Sequence, residues 1–147
     1  MVAAPGVAAW GDRVSELGDV FLAKAQESLA GAASELLNGR YNNAANRSYY
    51  ACFQGAIAAL DQAGIRPPGR PGEWGHAFVQ AQFAGQLINR RKLYPAALRD
   101  ALTQTQAIRE QGDYHAGHVS YAQATRAVGR ARAMVTAVAA RAEEGRA

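Results

Sequence analysis

The chain has 147 residues, 49% of them hydrophobic, with a single cysteine and a formal net charge of +4. That length suits one domain able to bury a core unaided, and a lone Cys52 excludes an internal disulfide framework or a multi-cysteine zinc site, leaving a buried thiol as the plain expectation. No apolar run reaches the roughly 18–20 residues that cross a bilayer, and the opening MVAAPGVAAW lacks the basic and long apolar parts of a signal peptide, so no membrane and a cytoplasmic location are expected.

The positive charge is unevenly spread. Residues 1–89 carry six Lys/Arg against seven Asp/Glu, whereas residues 90–147 carry ten against five. Arginine dominates the cations, and a guanidinium forks phosphate better than an ammonium does. A polyanionic partner is therefore expected on the second half of the chain.

Helical periodicity runs throughout, with no useful β-type alternation. In RVSELGDVFLAKAQESLAGAASELLNG, Leu17, Phe21, Ala25, Leu29, Ala32 and Leu36 share one face, and Asn38-Gly39 stops the helix. A second helix restarts at once, with Asn42 or Asn43 as N-cap. Its inward stripe is Ala45, Tyr49, Cys52, Ala56 and Ala59, and Gly64 ends it. So short a connection makes the first two helices antiparallel.

The Pro/Gly-rich IRPPGRPGEWG is too short for a domain linker and reads as a surface loop. A third helix begins at His76, carries Phe78, Val79, Phe83 and Leu87, and breaks at NRRKLYP. Pro95 suits the first turn of a fourth helix with the stripe Leu98, Leu102, Thr105 and Ile108, ended by Gly112. Ser120 caps a fifth helix reaching about Ala140, with Ala124, Val128, Ala131, Val135 and Val138 inward. Arg126, Arg130 and Arg141 lie within about 60° of each other on its opposite side. The predicted fold is all-α, an antiparallel four- to five-helix bundle over residues 13–141 between flexible termini at 1–12 and 142–147.

Four motifs within this pattern carry a resemblance. NNAANRSYYACFQGAIAAL holds Ala-x-x-Arg-x-Tyr-Tyr-Ala at Ala44, Arg47, Tyr49, Tyr50 and Ala51. GHAFVQAQF spaces His76 from Phe83, REQGDY gives Arg-x-x-x-Asp-Tyr at Arg109, Asp113 and Tyr114, and Ser120 precedes Ala124 in Ser-x-x-x-Ala. In this order, from about residue 17 to 140, the chain resembles the HEPN superfamily of prokaryotic helical domains, in the branch called UPF0332. The resemblance implies a helical bundle that is commonly a homodimer. It also implies a metal-independent endoribonuclease, a toxin or phage-defence effector cleaving RNA. Such proteins are paired with a nucleotidyltransferase-type antitoxin or act within a larger defence complex. The family's catalytic Arg-x(4–6)-His maps onto Arg109 and His115, which have five residues between them.

The chemistry asked of these residues is definite. Metal-free RNA cleavage needs a base for the 2′-hydroxyl, an acid for the leaving 5′-oxygen and a cation for the charge gathering on phosphorus. An arginine suits the last task and a histidine either of the others. One His115 cannot easily serve as both acid and base, whereas a two-fold dimer would bring two copies to one cleft. On a straight helix residues six apart diverge by about 240°, so Arg109 and His115 converge only if the helix ends between them, as Gly112 would allow. His115 then lies just past a helix C-terminus, where the dipole favours its charged form. No cofactor is called for.

Other readings of the same residues stay open. Arg109 and Asp113 are spaced as an i, i+4 ion pair, and Tyr114 as a packed aromatic with its hydroxyl at the surface. Glu110 directly follows the arginine where active members usually carry a polar, often amide, residue. Together with Asp113-Tyr114 it favours the alternative of a non-catalytic HEPN module that binds a nucleotide, RNA or a partner protein as a subunit. Asp113, His115 and His118 could offer three metal ligands but lack a fourth, so no metal is expected. Arg47 is a further candidate ligand contact, and Arg90, Arg91, Arg126 and Arg130 are candidate contacts to an RNA backbone.

Overall fold

The computed structural model describes residues 5–69, 73–114 and 116–146, with side chains from residue 16 onward. Among these residues there are five α-helices and no strand: α1 (Pro5–Leu37), α2 (Tyr41–Gln62), α3 (His76–Gln82), α4 (Ala101–Asp113) and α5 (Tyr121–Arg146). No described helix is long and apolar enough to cross a membrane. The helix ends differ from those expected. Helix α1 begins at Pro5 rather than near Arg13, and α5 runs on past Ala140 to Arg146, where the Arg146 guanidinium pairs with Asp19 of α1 and with Glu143.

Helices α1 and α2 form an antiparallel hairpin whose turn uses Gly39 at φ 76°. That is a left-handed conformation glycine adopts without penalty. The packing is close because the facing residues are small: Ala25 and Ala32 of α1 and Ala45, Cys52 and Ala56 of α2 are fully buried. Helix α5 packs against both with Ala124, Val128, Ala131, Val135 and Val138, all inward as their spacing predicts. Met134 joins that stripe and closes over Gly55.

Four local expectations are corrected. Neither Asn42 nor Asn43 caps α2: Arg40 holds the N-cap position without a side-chain bond. Asn42 Oδ1 instead accepts the Val119 backbone N–H at 2.9 Å, tying the start of α2 to the start of α5. The third helix is not uniform. After Gln82 the chain widens into a π-helical segment, Phe83–Arg90, which lets Phe83, Leu87 and Ile88 all bury. It closes through Arg91 N–H on the Gln86 carbonyl and Leu93 N–H on the Leu87 carbonyl, with Lys92 left-handed at φ 53°. Pro95 precedes a separate 3-10 turn, Ala96–Leu98, and α4 starts only at Ala101. Gly112 does not end α4, which continues to Asp113. It is small because α4 passes close to α2 there: a Cβ at residue 112 would stand 3.0 Å from Val119 Cγ2 and 3.2 Å from Asn42 Cγ.

The start of α5 follows expectation and adds a partner. Ser120 Oγ accepts the Gln123 backbone N–H at 3.1 Å, and Gln123 Oε1 accepts the Ser120 N–H at 2.9 Å. This is a reciprocal capping box.

Candidate functional site around Arg109

Helix α4 lies across α2, and its last full turn carries Arg109 onto the paired tyrosines of α2. The guanidinium carbon sits 4.9 Å from the centre of the Tyr49 ring and 5.7 Å from that of Tyr50. Arg109 Nη1 donates to the Tyr50 hydroxyl at 3.2 Å, and Nε lies 3.7 Å from Asp113 Oδ2, one turn on. Nε is buried and has no hydrogen bond among the described residues. The Arg109 side chain is 19% exposed, so the cation is mounted rather than free, with one edge at the surface. Two aromatic faces, one hydroxyl and one carboxylate fix its direction.

The tyrosines differ in role. Tyr49 is fully buried, whereas Tyr50 is half-buried, and the two rings meet edge to face at 5.4 Å. Burial pushes the Tyr49 hydroxyl up to about 12, against the pull of the nearby Arg109 charge. It is therefore a phenol at any physiological pH, able to donate or accept a hydrogen bond. Its partner comes from outside α2 and α4. The Tyr49 hydroxyl and His76 Nδ1, at the first residue of α3, are hydrogen-bonded. The exposed imidazole stacks on Phe53 with centres 4.5 Å apart and lies 5.4 Å from the Tyr49 ring. Tyr49 thus has Arg109 and His76 as joint neighbours.

The sequence predicted some of this group and missed the rest. The Arg109–Asp113 pair forms as an i, i+4 contact, with the carboxylate 58% exposed. Tyr114 leaves α4 in an extended conformation, φ −74° and ψ 138°, and its ring is 69% exposed. Glu110 is exposed beside Arg109, and its charge adds to the forces raising the Tyr49 hydroxyl. His115 lies outside the described residues. In the sequence His76 marks a helix start, and its pairing with a tyrosine 27 residues earlier has no signal in local sequence.

The remaining candidates do not gather at Arg109. Arg47 is on the α1 side of α2, its aliphatic stem 3.9 Å from where a Cβ on Gly31 would stand, in a groove with Lys24 and Glu35. Arg91 donates to the Ala63 carbonyl at 3.2 Å, at the far end of α2. Ala63 is about 20 Å along the helix from Tyr50 at 1.5 Å per residue. Arg90 and Arg126 are exposed, and Arg130 is half-buried, its charge felt at the Cys52 thiol. Arg141, the third member of the predicted stripe, lies over Tyr94 at 6.0 Å. Burial pushes the Cys52 thiol up to about 12, so it is no nucleophile. Among the described residues no three His, Cys, Asp or Glu side chains gather as metal ligands; Asp113 of the suggested trio faces Arg109 instead.

No curated protein matches the chain closely enough to count as a relative. A profile of the HEPN domain matches residues 19–142, which takes in the bundle from near the middle of α1 to the last turns of α5 and includes every residue of the Arg109 group. A five-helix bundle with this match over most of its length belongs to the HEPN domain family, a class of nuclease and RNA-related modules.

Proposed function

We propose that this chain is a metal-independent endoribonuclease of the UPF0332-like HEPN branch, a toxin or phage-defence effector that cleaves RNA. The observation that supports this reading most is the mounting of Arg109. A cation held by Tyr49, Tyr50 and Asp113, with one edge at the surface, is preorganised for the charge that gathers on a phosphate in the transition state. Arg109 binds the phosphate, and His115, six residues on and past the end of α4, moves the proton. The 2′-oxygen attacks phosphorus, the 5′-oxygen leaves, and the product ends in a 2′,3′-cyclic phosphate. Arg126, Arg130, Arg90 and Arg91 contribute contacts to the RNA backbone. The protein acts as a homodimer with a nucleotidyltransferase-type antitoxin or a larger defence-complex partner.

The test is cleavage of end-labelled RNA by pure protein in EDTA. Wild type should cut and leave a cyclic phosphate, while Arg109→Ala and His115→Ala should each lose 10²-fold or more, about the worth of one general acid–base or oxyanion contact. Light scattering at micromolar concentration should give twice the chain mass.

A second reading, a non-catalytic module that binds RNA, a nucleotide or a partner protein, draws on a different observation. Glu110 is exposed beside Arg109, where its charge opposes a phosphate. An inert wild type that still binds RNA, with affinity lost in Arg109→Ala, would establish that reading instead.

A further inference from the structure

We propose that His76 is the second proton-transfer residue of the Arg109 site and donates the proton to the leaving 5′-oxygen of the RNA. The inference rests on the ribonuclease reading and supplies what that reading lacks, a second titratable group within one chain. His76 and Arg109 lie 5.4 Å and 4.9 Å from the centre of the same Tyr49 ring, so only one side chain separates the cation from the imidazole. The imidazole is fixed rather than mobile. Phe53 stacks on its face at 4.5 Å and 15°, and the Tyr49 hydroxyl holds Nδ1. Nε2 has no partner among the described residues, and the residue is exposed.

Tyr49 suits both charge states of that ring. Its hydroxyl oxygen accepts from Nδ1–H of the imidazolium and of the neutral ring left after Nε2 has given up its proton. In the complete step a bond forms from the 2′-oxygen to phosphorus and the bond from phosphorus to the 5′-oxygen breaks. The 2′-hydroxyl proton passes to His115, and the Nε2 proton of His76 passes to the departing 5′-oxygen. Solvent then returns the proton to His76 and takes the one on His115. No metal or redox partner enters the balance.

The experiment compares two RNA substrates of one sequence, a natural one and one with sulfur in place of the bridging 5′-oxygen at the cleaved bond. A thiolate leaves without needing a proton, because thiols are far more acidic than alcohols. His76→Ala and His76→Phe should each cut the oxygen substrate at least about 10²-fold more slowly than wild type. Both should cut the sulfur substrate within about tenfold of the wild-type rate. His76→Phe retains a ring against Phe53, so the same result from both variants separates the proton from the packing, and recovery on sulfur shows that the variant is folded. Arg109→Ala should be slow on both substrates. If His76 variants match wild type on oxygen, or stay slow on sulfur, or if His115→Ala is the variant that sulfur restores, the proposal falls while the ribonuclease reading stands. A wild type inert on both substrates overturns that reading and this one with it.

Discussion

Gly112 of α4 lies directly against Asn42 of α2, so close that a Cβ at residue 112 would stand 3.2 Å from Asn42 Cγ and 3.0 Å from Val119 Cγ2. Asn42 in turn holds the Val119 N–H. One missing methyl group therefore sets how closely α2, α4 and the start of α5 approach, and hence how Arg109, one turn back, meets Tyr50. Gly112→Ala gains up to about 1 kcal/mol of helix propensity but overpacks a three-way contact, which costs about 1–3 kcal/mol. The clash wins, and a net loss near 1 kcal/mol is expected in urea unfolding. Gly129 in mid-α5 is exposed with nothing within 4 Å of a built Cβ. There only propensity acts, and Gly129→Ala should stabilise by about 0.5–1 kcal/mol. Equal effects at the two positions would refute the packing account of Gly112.

The capping box at the start of α5 supports a separate expectation. Ser120→Ala removes the acceptor for the Gln123 N–H and should cost about 0.5–2 kcal/mol of stability. Ser120→Asp, which keeps an acceptor and adds a charge favourable to the helix dipole, should recover most of it. Thermal unfolding of the two variants side by side decides the matter.

Asp61 presents the opposite case, a buried group that works against the fold at neutral pH. It is fully buried at the end of α2, with Oδ1 3.1 Å from Arg66 Nε. Burial nonetheless raises its carboxyl above the ordinary 3.8, outweighing the attraction of Arg66. With the folded pKa above the unfolded one, its favourable contribution is complete below about pH 4 and is lost as pH rises through the folded value. Asp61→Asn imitates the protonated group. It should raise the midpoint of thermal unfolding at pH 7, and the gain should disappear at acid pH. A loss at pH 7 would mean that the Arg66 pair outweighs desolvation.

These cases mark how far the sequence was legible. The stripes of α2 and α5 were readable because a 3.6-residue period with small side chains admits one inward face, and Tyr49 and Cys52 are buried where that period puts them. The Arg109–Asp113 pair was readable because it lies within one helix. What the sequence hid depends on contacts between distant segments. Gly112 reads as a helix stop until α2 is seen against it. Asn42 reads as an N-cap until Val119 takes its side chain. Phe83 and Leu87 fit one face of an ordinary helix, and Ile88, about 140° from Phe83 on such a helix, buries with them because the chain widens there. His76 joins the Arg109 group through a tyrosine on another helix, a pairing that only the packing of α3 on α2 produces.

The mounting of Arg109 yields the last expectation, and it separates position from mere presence. Tyr50→Phe keeps the aromatic face 5.7 Å from the guanidinium carbon but removes the oxygen that accepts from Nη1 at 3.2 Å. Hydrogen bonds to charged groups contribute about 1.5–3 kcal/mol when well formed, and this one is only partly buried, so the lower end applies. The cation then keeps its stacking and its Asp113 neighbour but loses the contact that fixes its rotation. Cleavage of RNA should fall about tenfold, which is about 1.4 kcal/mol, while the unfolding midpoint moves little because the ring still packs. Arg109→Lys should fare worse than Tyr50→Phe, since an ammonium neither spreads over the two rings nor forks a phosphate. Should Tyr50→Phe leave cleavage and RNA affinity untouched while Arg109→Lys abolishes both, the guanidinium itself would matter and its orientation by Tyr50 would not.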